Sequence, residues 1–294
     1  MKKVLILGGT SYDEIVYLDK LPDPVPATLF ASGMETVGST GAGKALALTA
    51  LRVENRLHSI LGNDEPGNKI IAFLQSAGVR FTYDLDLQTE RHVNLMDREG
   101  GRISIFITAS TADLPLDMER LEGMIREADL VVLNIIGYTR RLIPILQKYK
   151  KEVWTDLHDY RADDTYYQPF LDASDVVFLS SDRLPDYLRW MTKWVREGKK
   201  FVVATHGKNG ATLLEKGRDF RFEPVIDSYR LVDANGAGDS FFAGFLYGYL
   251  QGRNLERCLC YGTIAGGVKV TSHQLVSEQL SPEYLETMYQ KIYE

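Results

Sequence analysis

Asp239 follows the run Gly236-Ala237-Gly238 and precedes an apolar segment carrying Phe241, Phe242, Phe245, Leu246, Tyr249 and Leu250. A segment apolar nearly all round reads as a buried helix, and its start is the Gly-Ala-Gly turn. Unpaired N–H groups and the helix dipole at such a start attract an anion. Glycine lets the backbone approach that anion closely. A carboxylate in the first turn then has two readings. It can be an ordinary dipole-favoured acid, or a general base that takes a hydroxyl proton while the N–H groups steady a phosphate.

A second glycine cluster, Gly38 to Ala45, reads G-x-x-x-x-G-K and stops one residue short of a P-loop. A P-loop needs Ser or Thr after the lysine to reach magnesium, and Ala45 has no oxygen to offer. This cluster therefore reads as a helix start where close backbone approach calls for glycine. Lys44 has two readings, a solvent-facing helix lysine or an ammonium near a carboxylated or phosphorylated substrate. The loop holding Thr205, Gly207, Lys208 and Gly210 ends a strand and carries Asn209-Gly210, a hairpin-turn signal. Asp233 and Asn235 are turn formers. Asp13 can cap the following segment or accept hydrogen bonds from two hydroxyls. His158 and Asp159 follow a strand and receive no role. The remaining histidines, 58, 92, 206 and 273, are scattered and form no recognisable metal cluster.

The elements that must position these residues alternate. Short apolar runs, "KVLIL", "DLVVLNII", "EVWTD", "DVVFLS" and "KFVVAT", read as strands. Between them, residues 67–77, 117–128 and 139–149 carry apolar residues at helical spacing. Such alternation predicts a mostly parallel sheet covered on both faces. Residues 14–37 and about 90–110 break the rhythm with strands and turns, including a hairpin signal at Glu99-Gly100-Gly101, and predict a small β-lid. Ligands of open α/β sheets bind beyond the carboxyl ends of the strands.

The 294 residues fit one large α/β domain, read here as a single unit over 1–294. A net charge of −6 disfavours nucleic-acid partners. No apolar run approaches the ~20 residues of a membrane span, and the opening "MKKVLILGG" reads as a first strand rather than a leader. Cys258 and Cys260 lack zinc-site partners, which fits a reducing cytoplasm.

The segment "DANGAGDSFFAGF" resembles the carboxyl-side signature of the PfkB (ribokinase-like) carbohydrate kinases. "GGTSYDEI", "LGNDEPGNKIIAFLQSAGV" and "THGKNGA" are similar to further segments of that family, in the same order and across almost the whole chain. The resemblance implies a ribokinase-like α/β fold and an ATP-dependent kinase. That kinase transfers the γ-phosphate to a hydroxyl, expected to be primary, of a small sugar or sugar-like substrate. It implies Asp239 as general base, with the Gly236, Ala237 and Gly238 N–H groups on the γ-phosphate and magnesium bridging the ATP phosphates. Asp13, Gly38, Ser39, Gly43 and Lys44 fall on the substrate side. Thr205, Gly207, Lys208, Gly210 and Thr263 fall on the nucleotide side. Asp233 and Asn235 match a loop that holds a monovalent cation, such as K+, in some members. Lids of the family often pair across a dimer, so a homodimer is expected.

Two departures stand out. The family's Asn-x-x-Glu motif, which organises magnesium-bound water, aligns with Ser180-Ser181-Asp182-Arg183, where only Asp182 offers a carboxylate. Gly43 replaces a sugar-binding Asn, which points to an altered substrate. A nucleoside kinase on the same fold and a catalytically weak ligand-binding member are the alternative readings.

Overall fold

In the first strand, β1 (Val4–Leu7), Val4 and Ile6 enter one core cluster and Leu5 and Leu7 another, and all four are buried. Alternate residues of a strand point to opposite faces, so β1 must lie inside a sheet covered on both sides. The computed structural model, which describes residues 2–294, shows that sheet. On one side β1 pairs in parallel with β4 (Asn55–Gly62), which pairs with β5 (Phe81–Asp86). On the other side come β8 (Leu130–Leu133), β9 (Glu152–Asp156), β10 (Val176–Ser180) and β11 (Phe201–Thr205), all parallel. Two antiparallel strands, β12 (Ala211–Glu215) and β13 (Arg221–Glu223), finish the nine-stranded sheet.

Helices cover both faces. One core cluster joins α1 (Thr40–Ala50), α2 (Glu65–Ser76), α7 (Ala237–Leu250), α8 (Leu255–Lys269) and α9 (Pro282–Tyr293) to the sheet. The opposite cluster holds α3 (Met118–Glu127), α4 (Ile143–Lys148), α5 (Gln168–Ala173) and α6 (Tyr187–Arg196). The expected helix at 139–149 is divided: residues 137–142 form a 3-10 turn and α4 begins at Ile143, with Pro144 at its start. Proline suits a first helical turn because it has no N–H to lose there.

A second, four-stranded sheet runs β3 (Ser32–Gly38), β2 (Ser11–Tyr17), β6 (Arg91–Met96) and β7 (Arg102–Thr108). β6 and β7 are antiparallel and joined through a turn at residues 97–101. Asp97 closes that turn by accepting from the Glu99 and Gly101 N–H groups. Ile105, Phe106 and Ile107 of β7 are exposed. Among the described residues no helix is long and apolar enough to cross a membrane.

Candidate active site

Gly236 takes the left-handed conformation, φ 81°, and starts α7. A Cβ there would stand 2.5 Å from the Leu275 carbonyl oxygen, so both the backbone angle and the space call for glycine. Around Gly238 a Cβ would meet nothing within 4 Å, so the turn opens outward. The Ala237 N–H donates to the Ala234 carbonyl (3.1 Å) and closes the turn. Of the three N–H groups expected at an anion, that of Ala237 is engaged within the turn.

Asp239, one residue on, is 8% exposed. α1 approaches it so closely that a Cβ on Gly43 would lie 2.5 Å from its Oδ2. Lys44, the next residue of α1, is fully buried. Its Nζ donates to Asp239 Oδ1 (2.6 Å) and to Asp156 Oδ2 (3.1 Å), and lies 5.1 Å from the Phe242 ring centroid. The solvent-facing reading of Lys44 does not hold, because two carboxylates claim its ammonium inside the protein.

One ammonium shared by two acids divides their behaviour. Burial alone would raise Asp156, but His158 and Lys44 overcome it and hold its carboxyl near 2. In Asp239 burial prevails over Lys44, and the carboxyl is raised above the ordinary range. Burial works against the Lys44 ammonium too, yet Asp239 and Asp156 together raise it. His158, at φ 50°, donates its N–H to Asp156 Oδ1 (3.0 Å), and burial pushes its imidazole down. A partly desolvated carboxylate of raised pKa, beside open N–H donors, is the equipment of a general base for phosphoryl transfer.

Asp13 is buried on β2 and receives Asn94 Nδ2 from β6 (3.2 Å). His92 stands between Asp13 Oδ1 (3.1 Å) and Glu90 Oε1 (3.2 Å). Burial would lower that imidazole, but the two acids outweigh it and raise it to about 9, so it is a cation at neutral pH. Gly38 ends β3 against this group, where a Cβ would fall 2.1 Å from Asp13 Oδ2. Ser39, at φ 67°, caps α1, and its Oγ stands 2.5 Å from where a Cβ on Gly9 would lie. Gly38 thus packs against Asp13, and Gly43 against Asp239.

The residues expected on the nucleotide side lie further along the sheet. Thr205 ends β11, and Gly207, Lys208 and Asn209 form a 3-10 turn that returns as β12, which is the hairpin geometry. Gly207 faces open space at φ 54°. Gly210, at φ 99°, packs against the Glu223 carbonyl, where a Cβ would be 2.1 Å away. Thr263 is buried on α8, and its hydroxyl donates to the Leu259 carbonyl (3.1 Å) one turn back, so it is occupied within the helix. Asp233 is buried; it accepts from the Asn235 N–H (2.7 Å) and the Tyr17 hydroxyl (2.8 Å). Asp182, after β10, is exposed.

Asp156, Glu90, His92 and Asn94 escaped the reading of functional residues. An acid closing a parallel strand, as in "EVWTD", was a signal for Asp156. His92 and Asn94 alternate along β6, which places them on a common face, and Glu90 lies just before that strand. A cavity of about 300 Å3 lies elsewhere, against α5 and α6, lined by Tyr160, Trp190 and Trp194, and holds none of these groups.

The profile of the pfkB family carbohydrate kinases matches residues 170–281. The acarbose 7(IV)-phosphotransferase of Actinoplanes sp. is 32% identical over 276 residues, covering 91% of this chain and 92% of that protein. The nucleoside kinase of Methanocaldococcus jannaschii is 21% identical over 277 residues, 88% of this chain and 87% of that one. Among solved structures, a microbiome-derived acarbose kinase superposes with a TM-score of 0.88 at 27% identity, over 98% of this chain and 99% of that one. The ribokinase of Giardia lamblia gives 0.84 at 18% identity, over 99% of both chains, and shows the shared fold. The chain belongs to the pfkB family of carbohydrate kinases. It has the ribokinase-like fold and is a kinase of that family.

Proposed function

We propose that the protein transfers the γ-phosphate of ATP to a primary hydroxyl of a small sugar or sugar-like substrate, with Asp239 as the base. The observation that carries this reading is the placement of Asp239. It is buried, raised in pKa, and set one residue beyond Gly238, whose turn opens outward. The acceptor hydroxyl approaches along Gly43 and loses its proton to Asp239 as the phosphate arrives. The Gly236 and Gly238 N–H groups hold the phosphoryl oxygens, and Asp13 and Asn94 accept and donate hydrogen bonds to the remaining hydroxyls. The loop at Thr205, Gly207, Lys208 and Gly210 borders the nucleotide.

No group of three His, Cys, Asp or Glu side chains among the described residues could hold a metal by itself. Magnesium of the family's type fits here as an ion carried on the nucleotide phosphates, which needs few protein ligands. Asp182 and the Ser180 hydroxyl are the hard oxygen donors beside β10 that would face it, since the Ser181 hydroxyl is taken up by His206 Nδ1 (2.7 Å). Bound there, magnesium supplies neutralisation of charge on the transferred group.

The name of the Actinoplanes relative brings acarbose and other oligosaccharides into the substrate class to be tested. A nucleoside acceptor is the second reading, favoured by the exposed Phe106 ring, whose centroid is 4.1 Å from that of His92 and offers a face on which a base could stack. The exposed Ile105, Phe106 and Ile107 row of β7 supports a homodimer through the second sheet, and the two buried free thiols fit a reducing cytoplasm.

The test is ADP release, with magnesium, against sugars, acarbose and nucleosides. Asp239→Asn should lower kcat by about 10²–10⁴-fold on the accepted substrate. Unchanged turnover in that variant would remove Asp239 from the role.

A further inference from the structure

Two lysines are fully buried among the described residues, Lys44 and Lys269. Lys44 has two carboxylates. Lys269, the last residue of α8, has two carbonyl oxygens instead. Its Nζ donates to the Asp233 carbonyl (3.0 Å) and to the Ser272 carbonyl (2.9 Å). No carboxylate oxygen lies within 4.0 Å of it; burial lowers its pKa, and the Asp233 carboxylate offsets that only in part. Burying an ammonium without a direct counter-ion is costly, so the position needs a reason.

The place suggests one. Asp233 starts the strap that leads to the Gly236 turn, and both the Val232 and Asp233 N–H groups donate to the Val270 carbonyl. Ser272 lies on the loop that follows α8, and the adjoining His273 meets the Tyr17 hydroxyl of β2 (3.1 Å). Tyr17 in turn donates to Asp233. Strap, helix end and second sheet therefore meet around one positive charge coordinated by backbone oxygens. Carbonyl oxygens arranged about a single charge are also the ligand chemistry of potassium. A free monovalent cation at Asp233 does not fit here, because the Lys269 Nζ already holds that carbonyl.

We infer that Lys269 is a covalently tethered cation. Its ammonium does the work of a bound monovalent ion at the base of the phosphate turn, and the protein needs no potassium. The inference is independent of which acceptor the kinase uses.

The experiment compares K+, NH4+, Na+ and N-methylglucamine at constant ionic strength, reading the thermal midpoint of the ligand-free protein. A specific cation present at 100 times its Kd would raise the Tm by roughly 5 °C. The wild-type protein should show no shift specific to K+ or NH4+. Lys269→Ala, which opens the pocket, should melt lower in N-methylglucamine and recover several degrees in K+, NH4+ or methylammonium. A K+-specific rise in the wild type overturns the inference, and so does a folded Lys269→Ala that ignores every small cation. Should that variant not fold, the wild-type titration decides alone. None of these readings needs a substrate, so a failed kinase assay and a failed cation assay remain distinguishable.

Discussion

Replacing Lys44 by methionine removes a charge while keeping the length and apolar stem of the side chain. Little cavity opens, because Met fills nearly the same volume. What changes is electrostatic. Asp239 and Asp156 lose the ammonium at 2.6 and 3.1 Å and face each other as buried acids. Breaking a buried ion pair by removing one partner costs about 3–5 kcal/mol. That is a large share of the ~5–15 kcal/mol that holds a typical domain folded, so the variant should fold but melt earlier. The cost should depend on pH with a fixed sign. Asp156, held near 2 in the folded protein against about 3.9 unfolded, stabilises the wild type above pH ~3.9. That stability is lost as pH falls toward 2. The deficit of Lys44→Met, measured by urea denaturation, should therefore be greatest near neutral pH and shrink on acidification. In the kinase assay Asp239 would hold its proton to higher pH, and the acid limb of kcat/KM should move upward. At neutral pH the loss should be on the order of 10²-fold, the lower end of what a general base contributes. A variant less than about 1 kcal/mol weaker at neutral pH, with an unmoved acid limb, would refute the reasoning.

His92, raised to about 9 by Asp13 and Glu90 against the effect of burial, should stabilise the fold fully below pH ~6.5 and lose that contribution as pH rises through 9. The loss is on the order of 3 kcal/mol at about 1.4 kcal/mol per pH unit, and His92→Gln should flatten it in urea titrations. Gly43→Ala places a methyl 2.5 Å from Asp239 Oδ2; misplacing a reacting group by about 1 Å costs roughly 10²-fold, so kcat should fall far more than Tm. Asp239→Asn should lose its rate, and because Lys44 keeps Asp156 as a partner its loss of stability should be smaller than that of Lys44→Met.

Periodicity was enough for the central sheet. The runs "KVLIL", "EVWTD", "DVVFLS" and "KFVVAT" are strands because residues buried on both faces must be apolar throughout. α7 was legible for the same reason, and its glycine turn marked Asp239. The resemblance to the family then supplied an order for pieces that spacing alone could not connect. Lys44 was misread because a lysine among alanines and leucines looks the same in sequence whether it faces water or two acids. Its partners lie 112 and 195 positions away. The His92 group was obscured in a similar way, since Asp13 and Asn94 are 81 positions apart and meet only through the second sheet. Lys269 gave no signal at all, because its partners are backbone carbonyls, which every residue possesses.

The distance between Lys44 and Asp239 along the chain also sets a timetable. At the ~5–20 residues per second of synthesis, about 10–40 s pass between making the ammonium and making the carboxylate it pairs with. Asp156, 112 positions after Lys44, is the first of its two partners to be made, so in the later part of that interval the ammonium has one carboxylate instead of two. Until residue 239 is made, α1 cannot complete the pairing it has in the finished fold. The tie between Lys44 and Asp239 thus forms late, and a chain cut short before residue 239 is left with an ammonium that has one carboxylate partner, Asp156, where the finished protein has two.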